Sequence, residues 1–222
     1  ANLSSINTAI TASAALDSTG SVVLGASANL TNVDTINISG DGVVTSHASA
    51  TLGAGTYAVG NDATLRLTAA KANGLTANGG GTADITELES TLAADLSDIN
   101  ASLTSTATIT ATGAAKTFTG NLSTIDTLTV DGNDTSTLTG ATLNSSGAFK
   151  VDSGATMAAT AAQLNGVGVT AGANGAGSVN VTALESTLAA NLSSINSALT
   201  STAIITATGA AKTFTGNLST ID

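Results

Sequence analysis

Residues 88–126 read LESTLAADLSDINASLTSTATITATGAAKTFTGNLSTID, and residues 184–222 read LESTLAANLSSINSALTSTAIITATGAAKTFTGNLSTID. The two stretches lie 96 residues apart and agree at nearly every position, so the chain is a tandem repeat and its fold has to be read as one. Working outward, earlier residues join at a shift of 92. Ala28-Asn29-Leu30-Thr31-Asn32-Val33-Asp34 matches Gly120-Asn121-Leu122-Ser123-Thr124-Ile125-Asp126. Gly55-Thr56-Tyr57-Ala58-Val59 matches Gly147-Ala148-Phe149-Lys150-Val151, and the segment from Thr68 to Gly74 matches Thr160 to Gly166. Asn2-Leu3-Ser4-Ser5-Ile6-Asn7 returns as Asn191-Leu192-Ser193-Ser194-Ile195-Asn196. We therefore expect one continuous array over 1–222, with unit 1 at 1–93, unit 2 at 94–189 and a partial unit 3 at 190–222. Neither end falls on a unit boundary or looks like a polar cap, which leads us to expect either a window from a longer array or ends that join other subunits.

Within a unit, short alternating runs predict strands. Ile36 and Ile38, Leu128 and Val130, and Val179 and Val181 each alternate with polar, mostly short side chains, as does Thr108-Ile109-Thr110-Ala111-Thr112. Thr117-Phe118-Thr119 is a further candidate. Turns rich in Gly, Asn and Asp separate them at 39–42, 78–81 and 131–134. Leu184, Leu188, Leu192, Ile195 and Leu199 follow a spacing of four, four, three and four, which predicts one amphipathic helix per unit. Thr182-Ala183-Leu184-Glu185 has the form of its capping box, and Thr86 and Glu89 repeat it ahead of Leu92, Leu96, Ile99 and Leu103.

Composition bears on how the strands pack. Hydrophobic residues are 42%, enough for a core, but aromatics are only 2%, with Trp 0, Tyr 1 and Phe 3. A core of small aliphatic side chains suits a thin, regular interior. The predicted fold is therefore mainly β, a parallel β-solenoid carrying one short helix per unit. Tandem β-sandwich domains are the alternative, disfavoured because a sandwich of this size usually anchors its core on aromatic side chains.

Charged residues are 9% and the net charge is −10, a balance that disfavours nucleic acid, which needs a basic face. No apolar run approaches the length of a membrane span, so no membrane insertion is expected. Cys is 0, which fits an extracellular setting.

The phrases from Thr160 to Gly166 and from Asn121 to Gly132 resemble those of β-strand repeat arrays in giant bacterial surface and type I-secreted proteins. The resemblance implies an extracellular or cell-surface location, secretion without cleavage of a classical signal, and calcium dependence.

Asp41, Asp131 and Asp134 sit in Gly-rich turns and offer hard oxygen ligands for calcium; the plainer reading is that they serve the turns. Gly79-Gly80-Gly81-Thr82-Ala83-Asp84 comes near a calcium-binding nonapeptide, with Thr82 where a fourth Gly belongs. Thr108, Thr110, Thr117, Thr119, Thr127 and Thr129 form T-x-T pairs of the type that can meet ice, but no fixed recurrence per coil is visible, so ice binding is a remote alternative. His47 has no counterpart near residue 139, Glu87 and Glu89 fit a helix start, and no catalytic motif appears, so an enzyme is not expected. N-x-[ST] sequons such as Asn121-Leu122-Ser123 arise freely in this composition. The functional expectation is a structural repeat of a surface layer, sheath or filament that associates with copies of itself. The alternative is the stalk of a giant secreted adhesin.

Overall fold

The computed structural model describes residues 2–222. In chain order its strands are β1 (Ser13–Ser18), β2 (Ser21–Leu24), β3 (Thr35–Gly40), β4 (Val43–Ser46), β5 (Thr56–Val59), β6 (Thr64–Thr68), β7 (Ala77–Gly79), β8 (Thr82–Thr86), β9 (Thr104–Ala111) and β10 (Lys116–Thr117). They continue with β11 (Asn121–Leu122), β12 (Thr127–Gly132), β13 (Thr135–Thr137), β14 (Thr142–Leu143), β15 (Ala148–Val151), β16 (Thr156–Thr160), β17 (Gly168–Ala171), β18 (Ser178–Thr182) and β19 (Thr200–Ala203). Every strand pair is parallel, and partners lie 18 to 22 residues apart in sequence. One coil of chain therefore returns directly beneath the next, and about nine such coils make a β-solenoid. The β-sandwich alternative falls on the same observation, because sandwich sheets are antiparallel.

The alternation in the sequence explains the cross-section. Ile36 and Ile38 of β3, Leu65 and Leu67 of β6, and Leu128 and Val130 of β12 point inward and are buried, while the residues between them face out. Each inward side chain stacks on its register partner in the next coil: Ile36 on Tyr57, and Leu128 between Ala107 and Phe149. Tyr57, Phe118 and Phe149 are the only aromatics fully inside; the rest of the core is aliphatic. At about 25 cal/mol per Å² of apolar area, such stacked columns are the main stabilising term of the fold.

The corners are built by a short code that the repeat had already exposed as NLSTID. Asn121 Oδ1 accepts the Ser123 amide at 3.1 Å, closing an Asx turn, and Leu122 enters the core. Thr124 Oγ1 donates to the Leu96 carbonyl of the preceding coil at 2.8 Å, and Ile125 is again buried. Asp126 Oδ2 then accepts the Ser105 amide at 2.8 Å, tying one coil to the previous one. Asp34 does the same for the Ala12 amide at 2.7 Å and Asp222 for the Ser201 amide at 2.8 Å. The corner bridges run from Asn2 to Asn29 to Thr51, from Asp95 to Asn121, and from Asn191 to Asn217. Gly120, just ahead of the code, is required by packing: a Cβ there would stand 2.1 Å from the Ala94 carbonyl oxygen.

The predicted helix does not form. Over 88–103 the chain makes a single 3-10 turn, Leu88–Ser90, followed by successive β-turns in which Thr91, Ala94, Ile99 and Leu103 donate to Leu88, Thr91, Leu96 and Asn100. Three-residue turns laid end to end repeat apolar residues every three or four positions, so they imitate a helical stripe. Leu88, Leu96, Ile99 and Leu103 are indeed buried, but at corners of the solenoid. Glu87, at φ 58, and its counterpart Ala183, at φ 54, hold a left-handed conformation that stops a helix from starting there. The capping box is absent as well: Glu89 Oε2 accepts the Thr110 amide of the next coil at 2.9 Å. The helices that do occur are single turns, α1 (Ala69–Ala72) and α2 (Ala161–Leu164). A capping box closes α2 through Thr160 and Gln163.

Two facts join the units. From Asn29 to Asn121, and from Asp95 to Asn191, the chain makes four coils, so the 92–96-residue unit is a four-coil block. At its boundary the eight-residue strand β9 pairs with β8 along one edge and β12 along the other. The strand equivalent to β12 one unit earlier is β3, which belongs to a different sheet from β8. The sheet that forms the second face of one unit thus becomes the first face of the next, without a break in its ladder.

Candidate interaction surface

Because the core is continuous, what the molecule offers to others is its outer faces and turns. On the eight-stranded sheet β17-β15-β12-β9-β8-β6-β4-β2 the outward positions are occupied mainly by threonine. Thr64 pairs with Thr82 and Thr82 with Thr104 along one line; Thr106 pairs with Thr127 and Thr108 with Thr129 along two others. Neighbouring strands lie about 4.8 Å apart, and alternate residues of a strand about 6.7 Å. The result is a grid of hydroxyl and methyl groups. Of the six threonines singled out in the sequence, Thr108, Thr110, Thr127 and Thr129 gather on this face, whereas Thr117 belongs to the sheet of β13, β16, β18 and β19. The recurrence was hidden in the sequence because β9 replaces two strands by one and shifts the spacing at the unit boundary.

Four charged groups stand among the threonines: Arg66, Asp84, Asp131 in register with Thr110, and Lys150 in register with Thr129. Arg66 Nε donates to Asp84 Oδ2 at 2.6 Å, and Thr106 Oγ1 donates to Asp84 Oδ1 at 2.9 Å. Both oxygens of Asp84, the acid of the calcium-like Gly run, are thus held by neighbouring coils. In the following unit the same positions carry Ala158, Asn180 and Thr202, with Thr202 donating to the Asn180 side chain. An exposed pair of this type contributes at most about 1 kcal/mol.

The three acids proposed for calcium occupy two separate turns. Asp41 is exposed beyond the end of β3; Asp131 and Asp134 flank the turn from β12 to β13, four coils further on, about 19 Å along the axis. Asp131 Oδ1 accepts the Gly132 amide at 2.7 Å. Among the described residues no three His, Cys, Asp or Glu side chains converge on a point. The three aspartates therefore do not make a single cage.

His47 is exposed, and its Nδ1 accepts the Ser49 amide at 3.0 Å, a turn-closing role. Glu87 is exposed, and Glu185, one unit after Glu89, is held below the usual carboxylate range by its own amide and that of Thr206. A polar hollow of about 200 Å³ lies between Thr8, Asn32, Asp34 and Gly55, but its acid already accepts the Ala12 amide and Asn32 already donates to Ser4 and Ile6. No helix among the described residues is long and apolar enough to cross a membrane. No protein family, curated protein or solved structure matches the chain.

Proposed function

We propose that this chain is a structural repeat segment of an extracellular bacterial surface layer, sheath or filament, and that it works by stacking and by association with copies of itself. The observation that carries this reading is the joint at β9: units are connected by the same parallel ladder that connects coils within a unit. A chain built in this way lengthens by adding units, without a hinge or a change of core. About nine coils at about 4.8 Å each give a rod of roughly 43 Å. The faces are rich in short polar side chains, which suits close lateral contact. We read the protein as non-enzymatic, with no nucleic-acid or membrane-inserted role. The resemblance to secreted surface repeats adds calcium to the reading, through Asp41, Asp131 and Asp134 at the outer turns.

Electron microscopy of the purified chain tests the proposal. Ordered sheets or filaments are expected. Isolated rods without order would favour the adhesin stalk instead. Adding a chelator to the assembled material tests calcium: assembly is expected to fall, and unchanged assembly and melting temperature would remove the metal from the account.

A further inference from the structure

We infer that the threonine grid centred on β9 and β12 is a binding face for ice. The face is regular in two directions because it is the outside of a parallel ladder. Thr106 and Thr108 of β9 stand in register with Thr127 and Thr129 of β12, and Thr104 and Thr110 extend the row on β9. The repeats are about 4.8 Å between strands and about 6.7 Å along a strand, a rectangular array that a crystalline water surface can match. Thr108, Thr127 and Thr129 offer hydroxyls that can occupy water positions, the Thr106 hydroxyl is held by Asp84, and all four offer methyls that fit between rows. β-branching holds χ1 to few rotamers, so little side-chain freedom is lost on contact. Thr106, Thr108, Thr110, Thr127 and Thr129 are half-buried, which keeps the grid flat.

The chemistry of the surroundings excludes other partners better than it excludes ice. A nucleic acid needs a basic face; here Lys150, in register with Thr129, is a single cation at the edge of the four threonines, and Arg66 is paired with Asp84. A sugar-binding platform usually stacks the ligand on an aromatic ring, and none stands on this sheet: Tyr57, Phe118 and Phe149 are inside, and the partly buried Phe214 lies outside its strands. Frozen water needs only neutral groups in the right array. The equivalent face of the following unit is a poorer version: Ser178 and Ile204 stand where this one has Thr82 and Thr108, and Ile204 is exposed. One unit therefore carries the better face.

Inhibition of ice recrystallisation, and capture of the fluorescently labelled chain by a growing ice hemisphere, test the assignment. Wild type is compared with Thr108→Lys, which raises a long charged chain from the middle of the grid, and with Thr137→Lys on the sheet containing β13. Melting temperatures identify any variant that has lost its fold; Thr129→Lys then serves in place of Thr108→Lys. Wild type and T137K are expected to enter the ice and suppress recrystallisation, with T108K losing at least tenfold in the concentration required. A wild type that behaves like serum albumin overturns the proposal. So does a folded T108K equal to wild type, or a T137K that loses as much. The result does not depend on whether the chain forms filaments or lattices.

Discussion

Tyr57 is the only tyrosine in a chain without tryptophan, and it lies wholly inside the solenoid. Its hydroxyl donates to the Leu52 carbonyl, which satisfies the neutral phenol and offers nothing to a phenolate. Burial pushes its pKa far above the ordinary 10.0. A group whose folded pKa is raised contributes its stability below the unfolded pKa and loses it above. Tyrosinate absorbance should therefore be missing near pH 10 while the fold persists, and appear together with loss of the far-ultraviolet β signal. A phenol that titrates near 10 with the β signal intact would show that Tyr57 is not enclosed. Its place in the core was legible only through the match of Gly55–Val59 to Gly147–Val151, where Phe149 takes the same position.

At the scale of elements, the strands at Ile36, Leu128, Val179 and Ile109 were readable because period two is unambiguous over five or six residues. Thr117-Phe118-Thr119 was less so: only Lys116 and Thr117 pair, and Phe118 turns into the core. The leucine stripe misled because a periodicity records which residues are buried and not which hydrogen bonds bury them. The breaker, Glu87 in one copy and Ala183 in the other, carries no sequence mark, since neither is glycine. That leads to a prediction. An L-residue in the left-handed region costs roughly 1 kcal/mol, and glycine relieves it. Ala183→Gly should raise the unfolding free energy by up to about 1 kcal/mol in urea titration, where the same change inside an α-helix would lower it by a similar amount. A loss of stability would restore the helix over 184–199. The role of other acids was not legible from the sequence: Asp34, Asp126 and Asp222 each accept an amide from another coil, in register only once the chain has wound round.

At the scale of the molecule, the sequence showed a repeat of 92–96 residues but not its division into four coils, because coils within a unit share geometry rather than residues. What repeats in sequence is the boundary: the corner code and the strand β9 that changes the role of a sheet. A unit should therefore be removable as a block. Deleting 94–189 joins Ala93 to Ala190 and sets Ser201 beneath Ala83, as Ser105 is set in the intact chain. Every inward column then meets an aliphatic partner, and Asp222 still reaches the Ser201 amide. The shortened chain should remain a folded β protein with a cooperative transition, and its urea m-value should fall roughly in proportion to the surface removed. Deleting 94–179 instead joins Ala93 to Asn180 and places part of β18 where a corner is needed, so that product should unfold or aggregate. If both deletions fold equally well, the coils do not depend on register and the four-coil block has no structural meaning. If neither folds, the units are not interchangeable, and the uninterrupted ladder through β9 is not what makes the array extensible.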